Sequence, residues 1–176
     1  ILISCEDDPE DTIVPRLMAA GANLARVHTL NSADFDLGKL DHLENALQAK
    51  RDVRLVAIDP VSAFVPRNLD DHKDSSIRTA LGKLATLAAE RKIAIILVKH
   101  LNKGEGKSVV SRVGGSIGYV NAARSALVAV GDANDSTRKL LLPFKGNLSS
   151  RPEGFIYRLE GLEKTDADAV LAQMKN

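Results

Sequence analysis

The sequence has 176 residues and a mass of 18.9 kDa, enough for one domain with a sizeable core. Hydrophobic residues at 44% and charged residues at 27% are ordinary for a soluble globular protein. Lys+Arg 24 against Asp+Glu 23 leaves a formal charge of +1, so no global basic field announces nucleic acid and any such contact must be local. The apolar runs around Ile93–Val98 and Ala126–Val130 are too short to span a bilayer. No secretory signal pattern opens the sequence, and the lone Cys5 excludes an internal disulfide framework. Both features lead to the expectation of a cytoplasmic protein with no membrane partner. Aromatics at 3% with no Trp argue against recognition by stacking on bases or sugars.

In chain order, Ile1–Cys5 reads as a short buried strand that ends in the acidic cluster Glu6-Asp7-Asp8. Asp8-Pro9 has the form of a helix start, with Asp as N-cap and Pro at the first position. Pro15 places the main helix between there and Gly21. Arg26–Leu30 is a weak strand, and Leu40, Leu43 and Leu47 have helical spacing. Leu55–Ile58 is a continuous apolar strand that runs into Asp59-Pro60. Ile77, Leu81, Leu84 and Ala88 mark an amphipathic helix behind the capping-rich Asp74-Ser75-Ser76. Ile93–Val98 is a further apolar strand, ending at Lys99-His100. Residues 102–116, rich in Gly, Lys and Arg, read as an exposed flexible loop. Strands follow near Ser125–Val130, Leu140–Phe144 and Phe155–Leu159. A terminal helix closes the chain, with Thr165 and Asp168 in capping-box spacing.

Continuous apolar strands alternating with helices predict an α/β domain over 1–176, a mostly parallel sheet with helices on both faces. The late strand–strand–strand run predicts an antiparallel extension at the C-terminal end. In such sheets ligands sit outside the carboxyl ends of the strands. Three strands end in chemically capable groups: Glu6-Asp7, Asp59, and Lys99-His100. Each has an ordinary alternative, since an Asp after a strand often caps the next turn, the acidic cluster can be a capping run, and a single His is commonly structural. Parallel pairing brings all three to one sheet edge, and nothing structural requires that. The chemistry such a set serves is nucleotide hydrolysis: one carboxylate holds the water shell of Mg²⁺, a second deprotonates the attacking water, and a polar residue on the next strand senses the terminal phosphate.

A phosphate cradle is harder to find. Gly104-Glu-Gly106-Lys107-Ser108 ends like the phosphate-binding loop G-x-x-x-x-G-K-[ST], but the first Gly of that pattern falls on Leu101. The segment after it, Val109–Gly115, is also a poor helix where the helix N-terminus should supply amides to the phosphates.

The ordered pieces I-L-I-S-C-E-D-D-P-E-D-T-I-V-P-R-L, L-V-A-I-D-P-V-S, I-I-L-V-K-H-L-N-K and G-G-S-I-G-Y-V-N-A-A-R-S-A-L resemble RecA-like ATPases of the RepA type, relatives of hexameric replicative helicases and of KaiC-like ATPases. The resemblance covers roughly residues 1–160. It implies that Glu6 activates water, that Asp59 is the Walker B aspartate holding Mg²⁺ through water, and that His100 contacts the terminal phosphate of ATP. It also implies that Arg124 reaches into a neighbouring subunit's site, with Lys145 as a second basic residue in trans. The implied whole is a homo-oligomer, a hexameric ring, whose ATPase cycle handles single-stranded DNA in replication or recombination. The loop at 102–116, with Lys103, Lys107 and Arg112, is the candidate nucleic-acid contact. The family's phosphate loop precedes the Glu-bearing strand, and this sequence starts at that strand with Ile rather than Met. The expectation is therefore an N-terminally incomplete core with little ATP turnover of its own. Two other readings stay open: a KaiC-like regulatory ATPase that does not act on DNA, and a non-enzymatic RecA-like scaffold.

Overall fold

The computed structural model describes residues 1–67, 74–102, 117–146 and 153–161, together with Glu163, Asp166, Ala169 and Ala172. Strands β1 (Leu2–Ser4), β2 (Leu55–Asp59) and β3 (Ala94–Leu97) form a sheet in the order β1-β2-β3. Both pairings are parallel, with Ser4 opposite Asp59 and Ile58 opposite Leu97. The weak strand expected near Arg26–Leu30 contracts to one parallel bridge, Thr29 to Leu2 on the outer side of β1. The residues before it, Leu24–Arg26, wind into a single 3₁₀ turn.

Asp8 caps the first helical segment as its position before Pro9 predicts: one carboxylate oxygen accepts the Glu10 and Asp11 amides at 2.8 and 2.9 Å. A π-type turn over Pro9–Ile13 leads into α1 (Val14–Ala19), which tolerates Pro15 because it lies in the first turn. Gly21, at φ 69°, ends the helix; the Ala22 amide reaches the Leu17 carbonyl and the Gly21 amide that of Met18, the bonding of a Schellman cap.

Helix α2 (Asp41–Ala49) and helix α3 (Asp74–Arg91) carry the core-facing stripes. Leu40, Leu43 and Leu47 are buried as their spacing predicts, and so are Ile77, Leu81 and Leu84. Leu87, rather than Ala88, completes the α3 stripe. These residues close on Ile3, Val56 and Ile58, which are wholly inaccessible to solvent. Phe35 and Phe64 join them in an edge-to-face contact at 5.2 Å. Each fully buried aliphatic side chain here contributes about 1.5–3 kcal/mol of transfer free energy. Burial of the parallel sheet is one-sided among the described residues: Val56 and Ile58 face the helices, while Leu55 and Ile96 on the other face are 44% and 51% exposed.

After α4 (Gly118–Ala122), strands β4 (Ser125–Gly131), β5 (Lys139–Gly146) and β6 (Phe155–Tyr157) form a separate antiparallel sheet in that order. The antiparallel C-terminal extension is thus present. Its pairing slips once, because Ala126 faces Lys145 while Leu127 faces Pro143. Phe144 is the extra residue of a bulge placed where Pro143 has no N–H to give to a ladder. Thr165 and Asp168, the expected cap of the terminal helix, lie outside the described residues. Among the described residues no helix is long and apolar enough to cross a membrane.

Candidate nucleotide-hydrolysis site

The parallel register does what the sequence pattern anticipates. With Ser4 opposite Asp59 and Ile58 opposite Leu97, the segments leaving β1, β2 and β3 emerge at one edge. Beyond the strands the ladder persists: Cys5 donates to the Asp59 carbonyl at 3.4 Å and Val61 to that of Val98 at 2.8 Å. Glu6, Asp59 and His100 meet there, each offering one side-chain oxygen or nitrogen within 4.8 Å of the others. His100 Nε2 lies 3.1 Å from Glu6 Oε2.

The acidic cluster after β1 divides its work. Asp8 is spent on the helix cap, and Asp7 holds Arg16 at 2.8 Å. Glu6 is the member that meets Asp59 and His100. Asp59 differs from its neighbours in solvation. Its Oδ1 is buried and accepts no hydrogen bond from the protein, whereas the Glu6 and His100 side chains are more than half exposed. Burial pushes the Asp59 carboxyl above its ordinary value, and the nearby Glu6 carboxylate pushes it further, against a smaller opposing pull from His100. A buried, unpartnered carboxylate oxygen beside a second carboxylate is a donor set suited to a divalent cation.

The other expected site residues fall elsewhere. Arg124 lies in the bend between α4 and β4 and is exposed. Lys145 is engaged inside its own chain: its Nζ donates to the carbonyls of Val120, Asn121 and Ala123 at 3.1, 2.9 and 2.8 Å. It thereby caps the C-terminal end of α4, as a cation at a helix C-terminus should. A role in trans would require the ammonium to leave these three carbonyls. Lys103, Lys107 and Arg112 lie outside the described residues.

Sequence reasoning missed one contact. Lys99, next to His100, places its ammonium 4.6 Å from the centre of the Tyr119 ring on α4, a cation–π distance. The K-H dipeptide at the end of β3 thus sends one side chain to the site and the other to α4. Tyr119, only 6% exposed, is part of the core. With aromatic residues so scarce in this sequence, a Tyr in the element before Arg124 was the available signal.

The family model of the AAA domain matches residues 1–106, a span that holds β1, β2, β3 and all three converging residues. The chain belongs to the AAA domain family. That family is one of nucleotide-binding, ATPase-type domains, and the match includes Glu6, Asp59 and His100 but ends before Arg124 and Lys145. No curated protein matches the chain.

Proposed function

We propose that this AAA domain is the ATPase core of a RepA-type, DNA-associated ring motor, with ATP and Mg²⁺ as its nucleotide and metal. The observation that carries the reading is the convergence of Glu6, Asp59 and His100 from three adjacent parallel strands. Mg²⁺, when bound with the nucleotide, neutralises phosphate charge and polarises the phosphoryl group. Asp59 would hold the water shell of that ion through its carboxylate. Glu6 accepts the proton of the attacking water as its oxygen bonds to the terminal phosphorus and the bond to the nucleoside diphosphate breaks. His100 orients the Glu6 carboxylate and reports on the terminal phosphate. Arg124, exposed in the bend between α4 and β4, contributes positive charge to a neighbouring subunit's site in a hexameric homo-oligomer. Lys103, Lys107 and Arg112 supply backbone-phosphate contacts to single-stranded DNA.

The test is ATP turnover by the purified protein, with and without single-stranded DNA. Glu6→Gln keeps shape and removes the base, so nucleotide still binds while hydrolysis falls by about 10²–10⁴-fold. Undiminished hydrolysis by Glu6→Gln would reduce Glu6 to a member of the capping cluster. Turnover that ignores single-stranded DNA would reject the DNA motor in favour of an ATPase that does not act on DNA.

A further inference from the structure

We infer that a cavity at the amino edge of the parallel sheet binds a small organic phosphate, a phosphomonoester whose charge is held by Lys50, Arg51 and Arg91. This goes beyond the hydrolytic reading and does not rest on it. The segments that enter β2 and β3 form this edge, whereas Glu6, Asp59 and His100 meet at the opposite one, where the strands end.

Helix α2 ends at Ala49 and α3 at Arg91, and from each the chain turns into a strand of the sheet. Between these turns lies a cavity of about 320 Å³, lined by Lys50, Arg51 and Arg91 together with Leu47, Val53 and Ile93. That volume falls at the small end of the range for small-molecule sites. Leu47 belongs to the buried core, and Val53 and Ile93 pack against it, so the apolar wall of the cavity is continuous with the packed interior.

Positive charge concentrates at this edge. Residues 50–54 and 90–92 carry five cations, Lys50, Arg51, Arg54, Arg91 and Lys92, against the two acids Asp52 and Glu90. Their formal +3 exceeds the +1 of the whole sequence, so the rest of the chain is net acidic. Cations after a helix often serve the helix itself, and in this protein that service is visible where it occurs: Lys145 donates to three carbonyls at the end of α4. Among the described residues, the side chains of Lys50, Arg51 and Arg91 make no such hydrogen bond and no ion pair. Three unpaired cations around one concavity repel one another, and a bound oxyanion relieves that repulsion.

The side chains also select the ligand. Two guanidinium forks and an ammonium match the shape and charge of a phosphate dianion. Leu47, Val53 and Ile93 suit a short carbon skeleton attached to it. Among the described residues no aromatic ring lines the cavity, so it offers a nucleobase no stacking surface.

The experiment is a calorimetric titration with butyl phosphate in low-salt buffer containing EDTA and no nucleotide, with inorganic phosphate and an oligothymidylate as separate arms. One butyl phosphate per chain is expected, bound more tightly than inorganic phosphate and weakened by added salt. Arg51→Gln and Arg91→Gln, both at exposed positions, should each weaken binding by about 10-fold or more, with unchanged circular dichroism and Tm. Absence of saturable binding, affinity retained in both variants, or equal affinity for butyl phosphate and inorganic phosphate would each overturn the site. Oligothymidylate binding that both substitutions abolish, without butyl phosphate binding, would assign the edge to a nucleic-acid backbone and reject the small-molecule ligand. Because the cavity shares no residue with the hydrolysis site, loss of phosphate binding leaves the hydrolytic reading standing, and failure of the ATPase assay leaves this site standing.

Discussion

The two sheets are built from similar apolar residues and put them to different use. In the parallel sheet, Ile3, Val56 and Ile58 are sealed against α2 and α3, and the strand ends beyond them carry Glu6, Asp59 and His100. In the antiparallel sheet no strand residue belongs to the buried core among those described, and Phe155 and Ile156 are each 62% exposed. Apolar composition alone therefore does not say where a strand will be buried. A parallel strand needs crossover segments, and those segments become its cover; a hairpin needs only its turn. The packed sheet is also the one whose strand ends bring Glu6, Asp59 and His100 together, because packing of the strands fixes the positions of their ends.

Truncating one isoleucine in each sheet gives the widest separation. Ile58→Ala should cost about 2–5 kcal/mol, through lost burial and the cavity left behind. Ile156→Ala should stay within about 0.5 kcal/mol, as for exposed positions. Urea unfolding of both variants reads the difference directly, and equal costs would mean that the antiparallel sheet is packed as tightly as the parallel one.

A smaller effect is expected where the antiparallel sheet meets α4. Lys145→Met keeps the aliphatic stem and removes three charge-assisted hydrogen bonds, for a loss of about 1.5–3 kcal/mol in the same assay. A loss near zero would show that the α4 carbonyls are equally well served by water.

The smallest effect concerns pH and sharpens the picture of the parallel sheet's edge. Burial and the Glu6 carboxylate raise the Asp59 carboxyl above its ordinary 3.8, so the native state holds this proton more tightly than the unfolded chain does. Ionisation of Asp59 thus costs stability as pH rises from the ordinary carboxylate value through the raised one, and the full cost is present above the raised value. In metal-free buffer Asp59→Asn should have a higher Tm than the parent at pH 7, with the gap closing below about pH 3.8. A Tm gap independent of pH would remove burial of the charge as its cause.

Much of the fold and the site was legible in the sequence, for identifiable reasons. Leu55–Ile58 running into Asp59, and Ile93–Val98 running into Lys99-His100, combine apolar continuity with a polar stop. That pattern marks a parallel strand and the polar group at its carboxyl end in the same few residues. Asp8 before Pro9 was equally clear, because capping is local chemistry. Which acid of Glu6-Asp7-Asp8 would face the site was not readable, since it depends on Arg16 reaching Asp7 and on the turn that follows. The one-sided burial of the parallel sheet among the described residues was hidden too: an apolar strand reads the same whether one face or both are packed. Lys145 illustrates a third limit. Its resemblance suggested a partner in another subunit, while its register beside the Phe144 bulge brings it to carbonyls 22–25 residues away in its own chain, and bulges change register without any periodic signal.

The cap made by Lys145 has a mechanical consequence. One ammonium joins the last turn of α4 to the eight-residue strand β5, and Arg124 begins immediately after the last carbonyl it holds, that of Ala123. The joint anchors to the antiparallel sheet the backbone from which the Arg124 side chain projects. On the other side of α4, the Lys99–Tyr119 contact hooks the same short helix to the end of β3, one residue before His100. Five residues of helix thus tie the two sheets together, with the end of β3 beside His100 on one side of the tie and Arg124 on the other.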